Sequence, residues 1–158
     1  MFVLLTSMDK MTTVRRCTSN DLAAAKSLIA ELYRDRPQDA DLDELPTRLS
    51  EFSLVAELEG EIIGLVIAVR RSTLEPGNEI SRDAFPDEDE YLEVQDLFVR
   101  QANRGSGTGS ALIKEVLAVA KSAGVCRSMV YSANADYIRI ARFYENCGFR
   151  MWHIFMTQ

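Results

Sequence analysis

Apolar and polar positions recur along this chain with two different periods, and each change of period marks a new element. Residues 12–18 alternate Thr, Val and Arg without a breaker, which predicts a strand. Leu22, Ala25, Leu28, Ile29 and Leu32 follow at helical spacing, behind the capping candidates Thr18, Ser19, Asn20 and Asp21, and Pro37 limits that helix. Leu42, Leu45 and Leu49 predict a second, short helix over residues 42–52. Residues 53–58 and 61–70 read as the strands of a hairpin turned at Glu59 and Gly60. The second of these is apolar on both faces and is expected in the middle of a sheet. Residues 73–90, with Pro76, Gly77 and a closing acidic run, read as a long loop.

The second half begins with a strand over residues 91–99, a glycine-rich run, and a helix over residues 110–123. Leu112, Ile113, Val116, Leu117 and Ala120 form the buried face of that helix and Gly124 stops it. A strand over residues 126–132, a helix over 137–147 stopped by Gly148, and a strand over 149–156 complete the chain. The order β-α-α-β-β-β-α-β-α-β is mixed α/β (α+β in its segregation): antiparallel strands first, then a parallel crossover around the helix at 110–123. That crossover puts the glycine run at the C-terminal end of a strand, where ligands of such sheets are expected.

The glycine run is Arg104, Gly105, Ser106, Gly107, Thr108, Gly109. Alternating glycines leave the peptide N–H groups bare, and the following helix presents unpaired N–H groups and the positive end of its dipole at the same place. Strand, bare loop and helix N-terminus together suit an anion, and a pyrophosphate in particular. Arg104 adds a fixed, forked cation. A dinucleotide loop of the form G-x-G-x-x-G fails because its third glycine position falls on Ser110. A nucleoside-triphosphate loop fails because no lysine follows the glycines.

Composition narrows the classes further. With 158 residues and 47% hydrophobic positions, one globular domain is expected, with residues 1–11 as an N-terminal extension and 12–158 as the domain. A net charge of −6 argues against non-specific nucleic-acid binding and for tolerance of cationic partners. Cys17, Cys126 and Cys147 are too scattered for a disulfide framework or a metal site, so no metal is expected and a reducing, cytoplasmic compartment is. No apolar run reaches membrane-spanning length.

The spacing that does fit is [RQ]-x-x-G-x-[GA], read from Arg104 through Gly107 to Gly109. With Asp96-Leu97-Phe98-Val99 before it and Phe143-Tyr144-Glu145-Asn146-Cys147-Gly148-Phe149 after it, the chain resembles the GNAT superfamily of acetyl-CoA-dependent N-acetyltransferases, and the aminoglycoside 3-N-acetyltransferase type most nearly. The resemblance covers nearly all of residues 12–156. It implies a mostly antiparallel sheet with a central parallel pair of strands splayed for coenzyme A. It also implies an acetyl-CoA cosubstrate held by pyrophosphate contacts on residues 104–109 (Arg104, Gly105, Ser106, Gly107, Thr108, Gly109) and by pantetheine contacts along Leu97, Phe98 and Val99. There the main-chain groups of Leu97 and Val99 serve as sheet-edge partners.

Acetyl transfer to an amine also needs a base for the ammonium and an acid for the departing thiolate. The resemblance makes Tyr144 the acid, and Asp96 is the first choice as base, with Glu93 second. Three residues apart in a regular strand, Glu93 and Asp96 are expected on opposite faces, so only a bulge brings both to the acceptor. Some positions depart from the family pattern. Tyr137 stands where many members carry asparagine, with Asn134 as a substitute pantetheine contact, and nine residues follow Phe149, so the end of the sheet is abbreviated or completed by a partner chain, as in a homodimer. Trp152 and His153 fall in that last strand, His153 as a packing or surface residue. The acidic runs at 39–44 and 87–90 read as solvated loops or as attractors of a polycation. The expected activity is acetyl transfer to a small cationic amine, such as an aminoglycoside or polyamine, by direct attack in a ternary complex. The rivals are a protein or peptide N-acetyltransferase and a non-catalytic acyl-CoA-binding sensor.

Overall fold

The computed structural model describes residues 12–35, 37–131 and 136–152. The first strand, β1 (Thr13–Arg16), is antiparallel to β2 (Leu54–Leu58), which forms a hairpin with β3 (Glu61–Ser72). Glu59 and Gly60 make the hairpin turn with φ of 52° and 84°, the paired left-handed conformation that matches strand twist. β3 is also antiparallel to β4 (Glu90–Val99), and β4 runs parallel to β5 (Ser128–Val130), giving a five-stranded sheet in the order β1-β2-β3-β4-β5. The doubly apolar strand is thus central, as expected. Among the described residues the parallel pair occupies one edge of the sheet.

Helices cover both faces. On one, Ala25, Leu28 and Ile29 of α1 (Leu22–Leu32) and Leu45 of α2 (Leu45–Arg48) pack on Val55, Leu65, Ile67 and Phe98. On the other, Leu112, Ile113, Val116 and Ala120 of α4 (Thr108–Ser122) pack on Ala56, Val66, Ala68, Leu92 and Val94, joined by Phe143 and Tyr144 of α5 (Tyr137–Asn146) and by Cys147 just after it. Gly64 lets α4 come close to β3: a Cβ there would stand 3.1 Å from a Leu112 methyl and 3.2 Å from the Phe98 carbonyl oxygen.

Several expectations need correction. The helix expected over residues 42–52 is the single turn α2, because Leu49 is already extended and the Ser50 hydroxyl donates to the Ala68 carbonyl (2.6 Å), drawing the chain onto the sheet. The loop at 73–90 holds a short helix, α3 (Glu79–Ala84), folded back on the end of β3 by Arg82 donating to the Thr73 carbonyl and Asn78 to that of Ser72. It is too short to show a period. The strand expected at 126–132 pairs only over β5. Phe149 to Trp152 carry no strand, and the remainder of that expected strand, with His153, lies outside the described residues, as do Asn134 and residues 1–11.

One polar junction fixes where α1 begins. Arg15 on β1 donates both terminal nitrogens to Asp21 (2.8 Å each) and its Nε to Glu57 on β2 (2.9 Å). The N–H and hydroxyl of Thr18 also donate to Asp21, capping the turn into α1. The Arg15 fork, with the Thr18 donors, holds the Asp21 carboxyl well below the usual carboxylate range. A depressed carboxyl stabilises the fold above its unfolded pKa, about 3.9, and that contribution disappears as pH falls through the folded value. Arg15 is partly exposed, so screening trims the effect. Asp21→Asn is therefore expected to cost about 1–2 kcal/mol at pH 7 by urea unfolding, with a smaller further loss between pH 6 and pH 3 than the unmodified protein shows.

Candidate active site

The site begins where a ladder ends. β4 and β5 pair at Leu92–Ser128, Glu93–Met129 and Val94–Val130, while β4 runs on to Val99. Among the described residues nothing pairs with that edge of β4 beyond Val94. The N–H of Arg100 reaches the Ile63 carbonyl on β3 (2.9 Å), so by strand alternation the amides of Leu97 and Val99 face the other way, into the gap. Their side chains pack on the α4-side core, and the Phe98 ring is buried on the opposite face. Unpaired main-chain groups at the rim of a cleft are what an amide-bearing arm can satisfy.

The gap opens into a cleft of about 2430 Å³, bordered by β4, the glycine loop, β5 and α5. At its far end Gly105 and Gly107 take φ of 78° and 85°, and a Cβ at either would project into open space. Both need glycine for their backbone, and neither covers the loop. The first helical bond of α4 is Ala111 N–H to Gly107 oxygen (2.9 Å), which leaves the N–H groups of Thr108, Gly109 and Ser110 outside the intrahelical ladder. The Ser106 hydroxyl bonds the Asn103 carbonyl (2.6 Å) and the hydroxyl of buried Thr108 (2.8 Å), setting the loop shape. Arg104 donates Nε to the Val99 carbonyl (3.0 Å) and lies over the Phe98 ring, with no carboxylate paired to it among the described residues. Gly109 differs from the other two: its φ is ordinary, and a Cβ would make van der Waals contact with the Phe143 ring at 3.4 Å. The bare loop, the free helix end and the open strand edge thus fit a long thiol carrier ending in a pyrophosphate.

α5 brings Tyr144 to the same cleft, wedged edge-on between Phe143 and Phe149. Burial, with smaller effects from Cys147 and the charge of Asp96, pushes its phenol up to about 12, so it is protonated throughout the neutral range. Tyr137, in the first turn of α5, is largely exposed on the cleft border.

The two carboxylates are not on opposite faces. Ala68 pairs with Val94 but Ile67 pairs with Asp96, so Gln95 is an extra residue in β4. Glu93 pairs with Val69 and Asp96 with Ile67, and positions 67 and 69 share the α1-side face of β3. The bulge therefore turns Glu93 and Asp96 to one side. Asp96 is 4% exposed and stands on the cleft wall. One of its oxygens accepts from the Tyr33 hydroxyl (2.8 Å) and the other from Arg48. Glu93 lies off the wall, held by Arg71 (3.0 Å) and by Gln95 (3.3 Å). Sequence reasoning missed Tyr33 and Arg48, which no motif marks. It raised the bulge only as a condition; the weak trace of it is the adjacent polar pair Gln95 and Asp96, which breaks the alternation of residues 92–95. Asp39 from one acidic run and Asp87 and Glu88 from the other border this cleft together. Among the described residues there is no group of side chains that could hold a metal, and no helix is long and apolar enough to cross a membrane.

Comparison with known proteins bears on the fold and the family. A search of curated proteins found no match. The solved structure of aminoglycoside N-acetyltransferase AAC(6')-Iy in complex with CoA superposes with a TM-score of 0.76 at 19% identity, covering 98% of this chain and 97% of that chain. Aminoglycoside 6'-N-acetyltransferase AAC(6')-IG from Acinetobacter haemolyticus gives 0.69 at 18% identity over 92% and 97%. Glucosamine-6-phosphate N-acetyltransferase from Arabidopsis thaliana gives 0.65 at 17% over 94% and 98%. At these identities the likeness is one of fold. Residues 22–149, most of the chain, match the acetyltransferase (GNAT) family, and the chain is a member of that family.

Proposed function

We propose that this N-acetyltransferase transfers acetyl from acetyl-CoA to the primary amine of a small cationic acceptor, by direct attack within a ternary complex. Bound acetyl-CoA supplies an activated thioester; the chain supplies orientation, charge and proton handling. The observation that carries the acceptor class is the convergence of two acidic stretches far apart in sequence, through Asp39, Asp87 and Glu88, on one cleft with Glu31 and Asp96. The cleft carries both signs, with Arg104, Arg127, Arg139 and Arg150 also in its lining, and the gathered carboxylates are the part of it that a cationic acceptor would meet. Glu88 also pairs with Arg127 at 3.4 Å, but that pair is exposed and weak. The aminoglycoside enzymes among the structural neighbours named above act at the 6' position, so support for an aminoglycoside-like acceptor is not specific to the 3-N type.

In this reading the amides of Leu97 and Val99 take the pantetheine arm, and the N–H groups of residues 107–110 with Arg104 take the pyrophosphate. Tyr144 donates its proton to the leaving sulfur. Asp96 is the carboxylate that meets the acceptor ammonium, because it stands on the cleft wall; Glu93, off the wall, reaches it only through water.

A panel of aminoglycosides, polyamines, amino acids and short peptides, assayed by release of free thiol, tests the acceptor class. Polyamines or aminoglycosides are expected to react, with kcat/KM falling by about an order of magnitude between ~10 mM and ~300 mM salt. Reaction confined to neutral peptides, or a flat salt response, overturns the reading. Tyr144→Phe is expected to lower kcat by about 10²-fold with acetyl-CoA affinity unchanged, and the unmodified enzyme to show no alkaline loss from this phenol below about pH 11. An unaltered kcat removes Tyr144 from the chemistry. Gly107→Ala, which forces a side chain to positive φ at a cost of about 1–2 kcal/mol, is expected to weaken coenzyme A binding in calorimetry by more than about ten-fold, while Gly109→Ala stays within about two-fold.

A further inference from the structure

The Asp96 carboxylate is buried with a cation already on it. Arg48 is its ionic partner, and among the described residues the Arg48 guanidinium makes no other hydrogen bond or ion pair. The two differ in access to water: the Asp96 side chain is 3% exposed and that of Arg48 is 23%. The Arg48 main chain is held independently of the ion pair. Leu45, one turn earlier, is fully buried among Val55, Ile67 and Phe98, and Ser50, two residues later, is bonded to the Ala68 carbonyl (2.6 Å) beside the β4 bulge. The guanidinium can therefore leave Asp96 by side-chain rotation alone, with α2 in place.

Removing one partner from a buried ion pair is costly because the other charge is left uncompensated. Arg48 can therefore leave cheaply only if another cation arrives. We propose that Arg48 is a specificity-determining residue of the acceptor site: it is the resident cation on Asp96, and the acceptor ammonium binds by exchanging with it. Uncharged amides and anionic amines cannot compensate Asp96, so Arg48 stays in place against them and they find the carboxylate already occupied. Tyr33, bonded to the other oxygen (2.8 Å), keeps the carboxylate oriented during the exchange. The inference rests on the cationic-acceptor reading above.

Calorimetric titration with spermidine, in protein saturated with coenzyme A, tests the exchange. Arg48→Met keeps an apolar stem and removes the competing cation, so spermidine is expected to bind about ten-fold more tightly, with coenzyme A affinity unchanged. Equal or weaker spermidine binding overturns the proposal. If Arg48→Met does not fold, Asp96→Asn carries the test: spermidine affinity is expected to fall about ten-fold while coenzyme A affinity holds, and retained affinity overturns it. The two readings fail separately. Tighter spermidine binding by Arg48→Met without polyamine turnover by the unmodified enzyme removes the acceptor class and leaves the exchange standing. Polyamine turnover with unchanged binding by Arg48→Met removes only the exchange.

Discussion

Among the described residues strand β4 has no partner on its β5 side beyond Val94, and the rest of the site depends on that open edge. Backbone amides without partners are normally eliminated in a folded interior, because each costs free energy unless it is bonded or wet. Here the open edge runs from Gln95 to Val99 along a cleft rim, where the Val99 carbonyl accepts from Arg104 and the amides of Leu97 and Val99 face solvent and an amide-bearing ligand alike. The crossover through α4 makes this geometry. It brings the helix N-terminus and the bare glycines to the end of the same strand, so one chain reversal assembles the edge, the anion site and Arg104.

The bulge at Gln95 adds the second half of the site. An unbroken strand would put Glu93 and Asp96 on opposite faces; one extra residue places both on the face covered by α1 and α2. In the proposed reading that face carries the acceptor end of the cleft, while the α4 side carries the thiol carrier. Asp96 is thereby buried against Tyr33 and Arg48, which arrive from the residue that follows α1 and from the single turn α2. Its partners come from 63 and 48 positions away in sequence. The junction of Arg15, Asp21 and Glu57 matters to the same end, since it sets the start of α1 and so the level at which Tyr33 meets β4.

Local physics was legible without coordinates. The hairpin at Glu59 and Gly60, the doubly apolar β3, the buried stripe of α4 and the stop at Gly124 each follow from periods and turn chemistry that hold within a few residues. So does the anion loop, because positive φ at Gly105 and Gly107 and a free helix N-terminus are properties of a short segment. The pairing of Tyr144 with this loop came from a motif, and the packing of α5 beside the cleft accounts for it. What only the tertiary structure decided was the register slip that re-aims Asp96, the cation that occupies it, the small helix α3, and the meeting of two acidic runs at one mouth. None of these leaves a periodic trace, because each arises when segments distant in sequence compete for the same hydrogen bonds, faces and charges. A sequence states which groups are present and how they repeat. Which of them must share a buried volume is settled only when the chain closes on itself.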